Sequence, residues 1–165
     1  MQNILYLCSK LIHMKKTILF ILTLFISIST MGQTQLFRGK SSYTSDILYS
    51  FDGHYIYKGK SSYSSDILYS WDGKYVYKGR SSYSSDILYT WDGKYLYSGK
   101  SSYSSDIVLT FDGTYIYRGK SSYSSDILYT VKNGYVYRGK SNYTSDILYS
   151  VNGVLPIPML IMMMQ

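Results

Sequence analysis

The sequence predicts an all-β fold of six tandem twenty-residue β-hairpin repeats, set about a pseudo-symmetry axis as a propeller-like ring. Three observations carry this. Gly39, Gly59, Gly79, Gly99, Gly119 and Gly139 recur at a period of twenty without exception. The units turn on an Asp-Gly or Asn-Gly pair between runs of alternating aromatic and β-branched residues, as in DILYTWDGKYLY (86–97), which is the strongest short-range hairpin signal. The chain also enters and leaves the repeat in mid-hairpin. QTQLFRG (33–39) aligns with a second strand and SDILYSVNG (145–153) with a first, a phasing that suits closure by pairing the first strand with the last. An open solenoid of stacked hairpins and a knotted β-fold satisfy the same repeat.

Ahead of the repeats, residues 1–32 read as a leader. Met14-Lys15-Lys16 followed by TILFILTLFISIS (17–29) has a basic start and an apolar run of signal-peptide length. Thr30 and Gly32 fit a cleavage site before Gln33, and Met14 makes the better translation start. The expected protein is exported: periplasmic, in the outer envelope or secreted. Cys8 is the one cysteine and lies in this leader, so the repeat domain over 33–153 is expected to hold together by packing, without a disulfide. Of the 17 Lys and Arg, three (Lys10, Lys15 and Lys16) belong to the leader, leaving 14 against 10 acidic residues, all Asp. That balance is too weak to argue for nucleic acid.

Within a unit the strands alternate. Ile87 and Tyr89 point to one face and Leu88 and Thr90 to the other, while Tyr95 and Tyr97 oppose Leu96. Gly73 and Gly93 are expected to supply positive φ at the turn. The fifth unit, VKNGYVY (131–137), moves the turn to Asn133-Gly134, so register or loop length should differ there. The stretch led by Gly59 or Gly79 and its counterparts, as in GKSSYSS (99–105), reads as the connection between hairpins. Asp66 and Asp86 at its end are expected to accept nearby backbone N–H groups or to pair with a Lys or Arg of the connection. The tail over 154–165, VLPIPMLIMMMQ, is too short and Pro-broken to span a bilayer and reads as an apolar cap or plug at one end. Pro156 and Pro158 are expected to end pairing in a degraded last strand.

Tyrosine fills four columns of the repeat, and an aromatic precedes the turn Asp in four units. Trp71, Trp91, Phe51 and Phe111 at the hairpin tips, with Tyr75 and Tyr95 beside them, are the candidate ligand contacts: stacking platforms if exposed together, packing caps if not. GYVYRGKS (134–141) matches the phosphate-binding pattern G-x-x-x-x-G-K-[ST] letter for letter. The stretch SNYTSDILYS (141–150) then reads as loop and strand rather than helix, so the match carries no nucleotide site. His54 is the only histidine outside the leader, and Glu is absent. No catalytic residue, metal site or cofactor is therefore expected. The leading expectation is a non-enzymatic structural or interaction module whose partner is unknown, a glycan or envelope protein being possible, with self-association as a further possibility. The alternative is a lectin-like domain that binds carbohydrate or cell wall through Tyr and Trp ladders.

The DGKYVYKG hairpins (72–79) resemble those of the small bacterial repeat proteins called β-flowers. This resemblance runs from Leu36 to about Ile157 and implies short hairpins arranged as a flower-like ring. Separately, SSYSSDILY (61–69) is similar to repeats of the septoil-knot family of exported bacterial β proteins, which implies the knotted alternative. The choline-binding repeats of cell-wall proteins are also similar in length and in their aromatic hairpins.

Overall fold

Twelve antiparallel strands close into a barrel in the structure, a computed structural model that describes residues 32–164. The strands are β1 (Thr34–Arg38), β2 (Ile47–Phe51), β3 (Tyr55–Lys58), β4 (Ile67–Trp71), β5 (Tyr75–Lys78) and β6 (Ile87–Trp91). They continue as β7 (Tyr95–Ser98), β8 (Ile107–Phe111), β9 (Tyr115–Arg118), β10 (Ile127–Lys132), β11 (Tyr135–Arg138) and β12 (Ile147–Asn152), followed by a helix, α1 (Ile157–Met163). Each strand pairs with its neighbours in sequence, and β1 closes the barrel on β12. In that seam Arg38, Phe37 and Leu36 face Tyr149, Ser150 and Val151, the same register in which Lys58, Tyr57 and Ile56 face Tyr49, Ser50 and Phe51. The first and last strands thus build the sixth hairpin. Closure leaves no unpaired edge, which selects the ring over the open stack and the knot.

Alternation then sorts the residues into an inner and an outer face. Leu36, Ile56, Val76, Leu96, Ile116 and Val136 point inward and are at most 1% exposed. Packed with them are Phe51 and Trp71, with Trp91, Phe111 and the Tyr49 column partly buried. Side chains alone fill a barrel of about eight strands, and twelve leave a wider interior. Helix α1 occupies it: Pro158 to Met163 are buried without a break, more than one turn of helix, so the wall surrounds α1 on every side. Each large apolar side chain buried there contributes about 1.5–3 kcal/mol.

One expectation is corrected here. Pro156 and Pro158 do not end a strand: pairing stops at Asn152, Pro156 is the residue before the helix and Pro158 lies in its first turn. Proline suits that place because a first-turn N–H has no partner within the helix to lose. The positive φ expected of the turn glycines is found, while the Asp before them stays outside the left-handed region. Gly93 has φ of 101°, but among non-glycine residues described only Asn133 has a positive φ. The expected leader over 1–31, with Cys8 and the start at Met14, lies outside the described residues.

One recurrent feature was not expected. Wherever a connection joins two strands, the register slips by one residue, as between Ile56 and Tyr57 opposite β4, so that Leu68 is an extra, bulged residue. The slip recurs at all six such pairs. A bulge adds twist, which a short-stranded wall needs in order to curl shut.

Candidate functional site

With Ile56 and its counterparts turned inward, the flanking Tyr55 and Tyr57 columns face outward, and the connections fold over the outer wall between them. Each connection is fastened by its own side chains. Ser101 Oγ donates to Asp106 Oδ2 at 2.5 Å and accepts the N–H of Tyr103, and the Asp106 N–H donates to the Tyr103 carbonyl. Asp66 and Asp86 make the same bonds with Ser61 and Ser81. From the wall, Thr90 Oγ1 donates to the Gly99 carbonyl at 2.7 Å, anchoring the start of the connection.

This packing leaves a groove between neighbouring hairpins. In one, of about 420 Å³, Lys74 and Tyr75 of one hairpin face Asp92 and Tyr97 of the next, with Lys100, Ser101, Ser102 and Tyr103 beside them. Twenty residues on, Lys94, Tyr95, Asp112, Tyr117 and Ser121 to Tyr123 repeat it at about 300 Å³. The groove at Tyr115 carries Lys132 in place of the Asp, and the groove across the chain seam carries Asn152.

The electrostatics of a groove centre on the turn carboxylate. Asp92 Oδ1 accepts the N–H groups of Lys94 and Tyr95, and Oδ2 accepts the Tyr97 hydroxyl at 2.8 Å. Burial alone would push the Asp92 carboxyl up, but these hydrogen bonds together outweigh it and hold the group below its ordinary value. The bond to Asp92, with burial second, pushes the Tyr97 hydroxyl up to about 12. Asp52, Asp72 and Asp112 make the same bonds with Tyr57, Tyr77 and Tyr117. Lys74 and Lys94 each lie 5.2 Å from the ring centre of the adjacent Tyr75 or Tyr95, within cation–π reach. Those rings meet Tyr77 and Tyr97 edge to face at 6.2 and 6.3 Å.

The structure divides the sequence-predicted contact residues. Tyr75 and Tyr95 border the grooves. Phe51 and Trp71 are buried, and Trp91 and Phe111 are half-buried against the same core, so the tips do not present these rings together. Gly59, Gly73, Gly79 and Gly93 all hold positive φ at turns and connections. The aromatic column that is exposed is another: Tyr43, Tyr63, Tyr83, Tyr103, Tyr123 and Tyr143 stand 71–75% exposed, one beside each connection. Their signal was a tyrosine set among serines with no alternating apolar neighbour to share a buried face. Among the described residues no group of three or more His, Cys, Asp or Glu is placed to hold a metal ion.

No curated protein and no solved structure matches the chain. A family model does match, over residues 36–162, which is the whole ring from the seam strand β1 into the helix it encloses. With its six hairpins about one axis, the last assembled from the first and last strands, the chain belongs to the family of 6-fold beta flower proteins.

Proposed function

We propose that this is an exported, non-enzymatic interaction module that binds a carbohydrate chain through its outer grooves. The observation that carries this reading is the repetition of one exposed assembly: an open Tyr face next to Ser hydroxyls, a Lys and a groove of about 300–420 Å³. A sugar ring offers an apolar face to stack on an aromatic and hydroxyls to bond with Ser and Lys, and the groove supplies both kinds of partner side by side. Each groove is shallow, and a contact of this size is worth on the order of 4 kcal/mol, a dissociation constant of about 1 mM. A polymer that engages several grooves at once gains about 10²–10⁴ in avidity without new contacts.

Binding of the purified protein to an array of polysaccharides and cell-wall fragments tests this, with the variant Tyr83→Ser/Tyr103→Ser/Tyr123→Ser as control. Saturable binding to a polymer, weakened at least tenfold in the variant and in short oligomers of the same sugar, supports the proposal. A folded protein that retains no glycan, or a variant that binds as well as the parent, sinks it and turns the search to envelope proteins.

A further inference from the structure

Helix α1 has no counterpart in the six-fold repeat, and it leaves an asymmetric space beside it. A cavity of about 530 Å³ lies at the end of the barrel reached by the C-terminal end of α1. Its lining combines buried Met163 and the adjacent Met164, half-buried Tyr49, Tyr149, Leu48 and Leu68, and exposed Arg38 and Lys58. Leu48 and Leu68 are the bulged residues of their strands, pushed out of the ladder at this end. Arg38 and Lys58 end β1 and β3, and Lys78, Arg118 and Arg138 end the equivalent strands, all of them exposed. The sixth of these strands, β7, ends in Ser98, so the wall finishes in five cations and one serine around an apolar floor. The carboxylates of the nearest connections do not line this cavity: Asp46 bonds Ser41 and Ser45, and Asp66 bonds Ser61 and Ser65.

We propose that this cavity binds an anionic amphiphile, with its carboxylate or phosphate head held by Arg38 and Lys58 and its acyl chain lying on Met163, Met164, Leu48 and Leu68 between Tyr49 and Tyr149. The size lies within the range of about 300–1,000 Å³ usual for small-molecule sites. Thioether side chains adapt to a flexible chain better than a rigid core does. Two cations over an apolar lining reject neutral polar ligands and cationic amphiphiles alike, because only an anion with a tail satisfies both parts. The site is separate from the outer grooves, and neither proposal depends on the other.

The test is titration of the purified protein with a fluorescent undecanoate, followed by competition with laurate, with uncharged monolaurin of the same chain length, and with inorganic phosphate. The expected result is saturable binding displaced by laurate, at least about tenfold weaker displacement by monolaurin, and none by phosphate. Arg38→Gln/Lys58→Gln, at exposed strand ends, is expected to weaken undecanoate binding by about tenfold or more with an unchanged circular dichroism spectrum. Tyr83→Ser/Tyr103→Ser/Tyr123→Ser is expected to leave it unchanged. Flotation with phosphatidylglycerol vesicles separates the two sources of the head group: salt-sensitive flotation lost in the double variant identifies a membrane lipid, and laurate binding without flotation identifies a free fatty acid. Equal displacement by monolaurin and laurate, or full binding by the folded double variant, overturns the proposal.

Discussion

Four hairpins of the ring turn on Asp-Gly and the fifth on Asn-Gly, with equal numbers of residues, yet they are built by different means. In β10–β11 the ladder runs on to Lys132 opposite Tyr135, and Asn133 and Gly134 make a tight turn with φ of 53° and 76°, the backbone form that a two-residue hairpin asks for. In β6–β7 the ladder stops at Trp91 opposite Leu96. There the Asp92 side chain takes over, collecting two backbone N–H groups and the Tyr97 hydroxyl. Turn geometry is thus available from the backbone alone. What the Asp adds is a tie from the turn to the outer wall, and with it a carboxylate in the groove, where the fifth hairpin puts Lys132.

The largest consequence of that difference is for stability. Asp92→Ala removes three hydrogen bonds and leaves the hydroxyl of Tyr97, a residue only 8% exposed, without its partner. A loss of about 2 kcal/mol in urea unfolding is expected, against about 0.5 kcal/mol or less for Lys132→Ala at the same place in the fifth hairpin. Equal effects would erase the distinction between the two designs. Grafting the Asp turn onto the fifth hairpin, by Lys132→Asp, Asn133→Gly and Gly134→Lys, asks the reverse question. If the carboxylate tie is portable, Tyr137 gains a partner and the midpoint rises by the equivalent of about 1 kcal/mol. Of similar size is the backbone contribution. Gly93 holds φ of 101° with nothing within 4 Å of an added Cβ, so Gly93→Ala isolates the conformational cost, about 1 kcal/mol. Asn133→Gly should shift stability by only a few tenths of a kcal/mol, since Asn already tolerates the left-handed region.

The two designs also show which parts of the molecule were legible in the sequence. The period, the hairpins and the complementary phase of QTQLFRG and SDILYSVNG were all local patterns, and they specified the ring and its seam. Alternation separated the two faces of a hairpin but could not say which was the inside, because both carry large rings, Tyr89 and Trp91 on one and Tyr95 and Tyr97 on the other. That choice depends on the connection folding over Ser50 and Thr90, a tertiary event. For this reason Trp71 could be read as a tip contact and is found in the core. Helix α1 was hidden for a different reason. A helix enclosed on all sides has no polar face, so IPMLIMM shows no period of 3.6, and its prolines read as strand breakers. The bulges at Leu48 and its counterparts left no mark of composition at all.

The smallest effect is the pH dependence, and it separates the hairpins most cleanly. Asp52, Asp72, Asp92 and Asp112 are held below their ordinary value of 3.8 in the folded chain. Their contribution is therefore complete above about pH 4 and is lost as the pH falls through the folded values, where protonation ends their acceptor role. Tyr57, Tyr77, Tyr97 and Tyr117 shift the other way, from 10.0 up to about 12. A raised value means that the folded state holds the proton more firmly, so that contribution is complete below about pH 10 and disappears as the pH rises through 12. Stability should be flat between these limits. Because the carboxylates are largely open to solvent, screening keeps both limbs shallow. The chain with all four Asp changed to Asn keeps an acceptor at each turn but nothing to protonate, and is expected to lose the acid limb that these four carboxylates supply. Thermal melting followed across pH for the parent and this variant checks it. An acid limb of unchanged size would show that the turn carboxylates are not its source and would sink this reading of the turn.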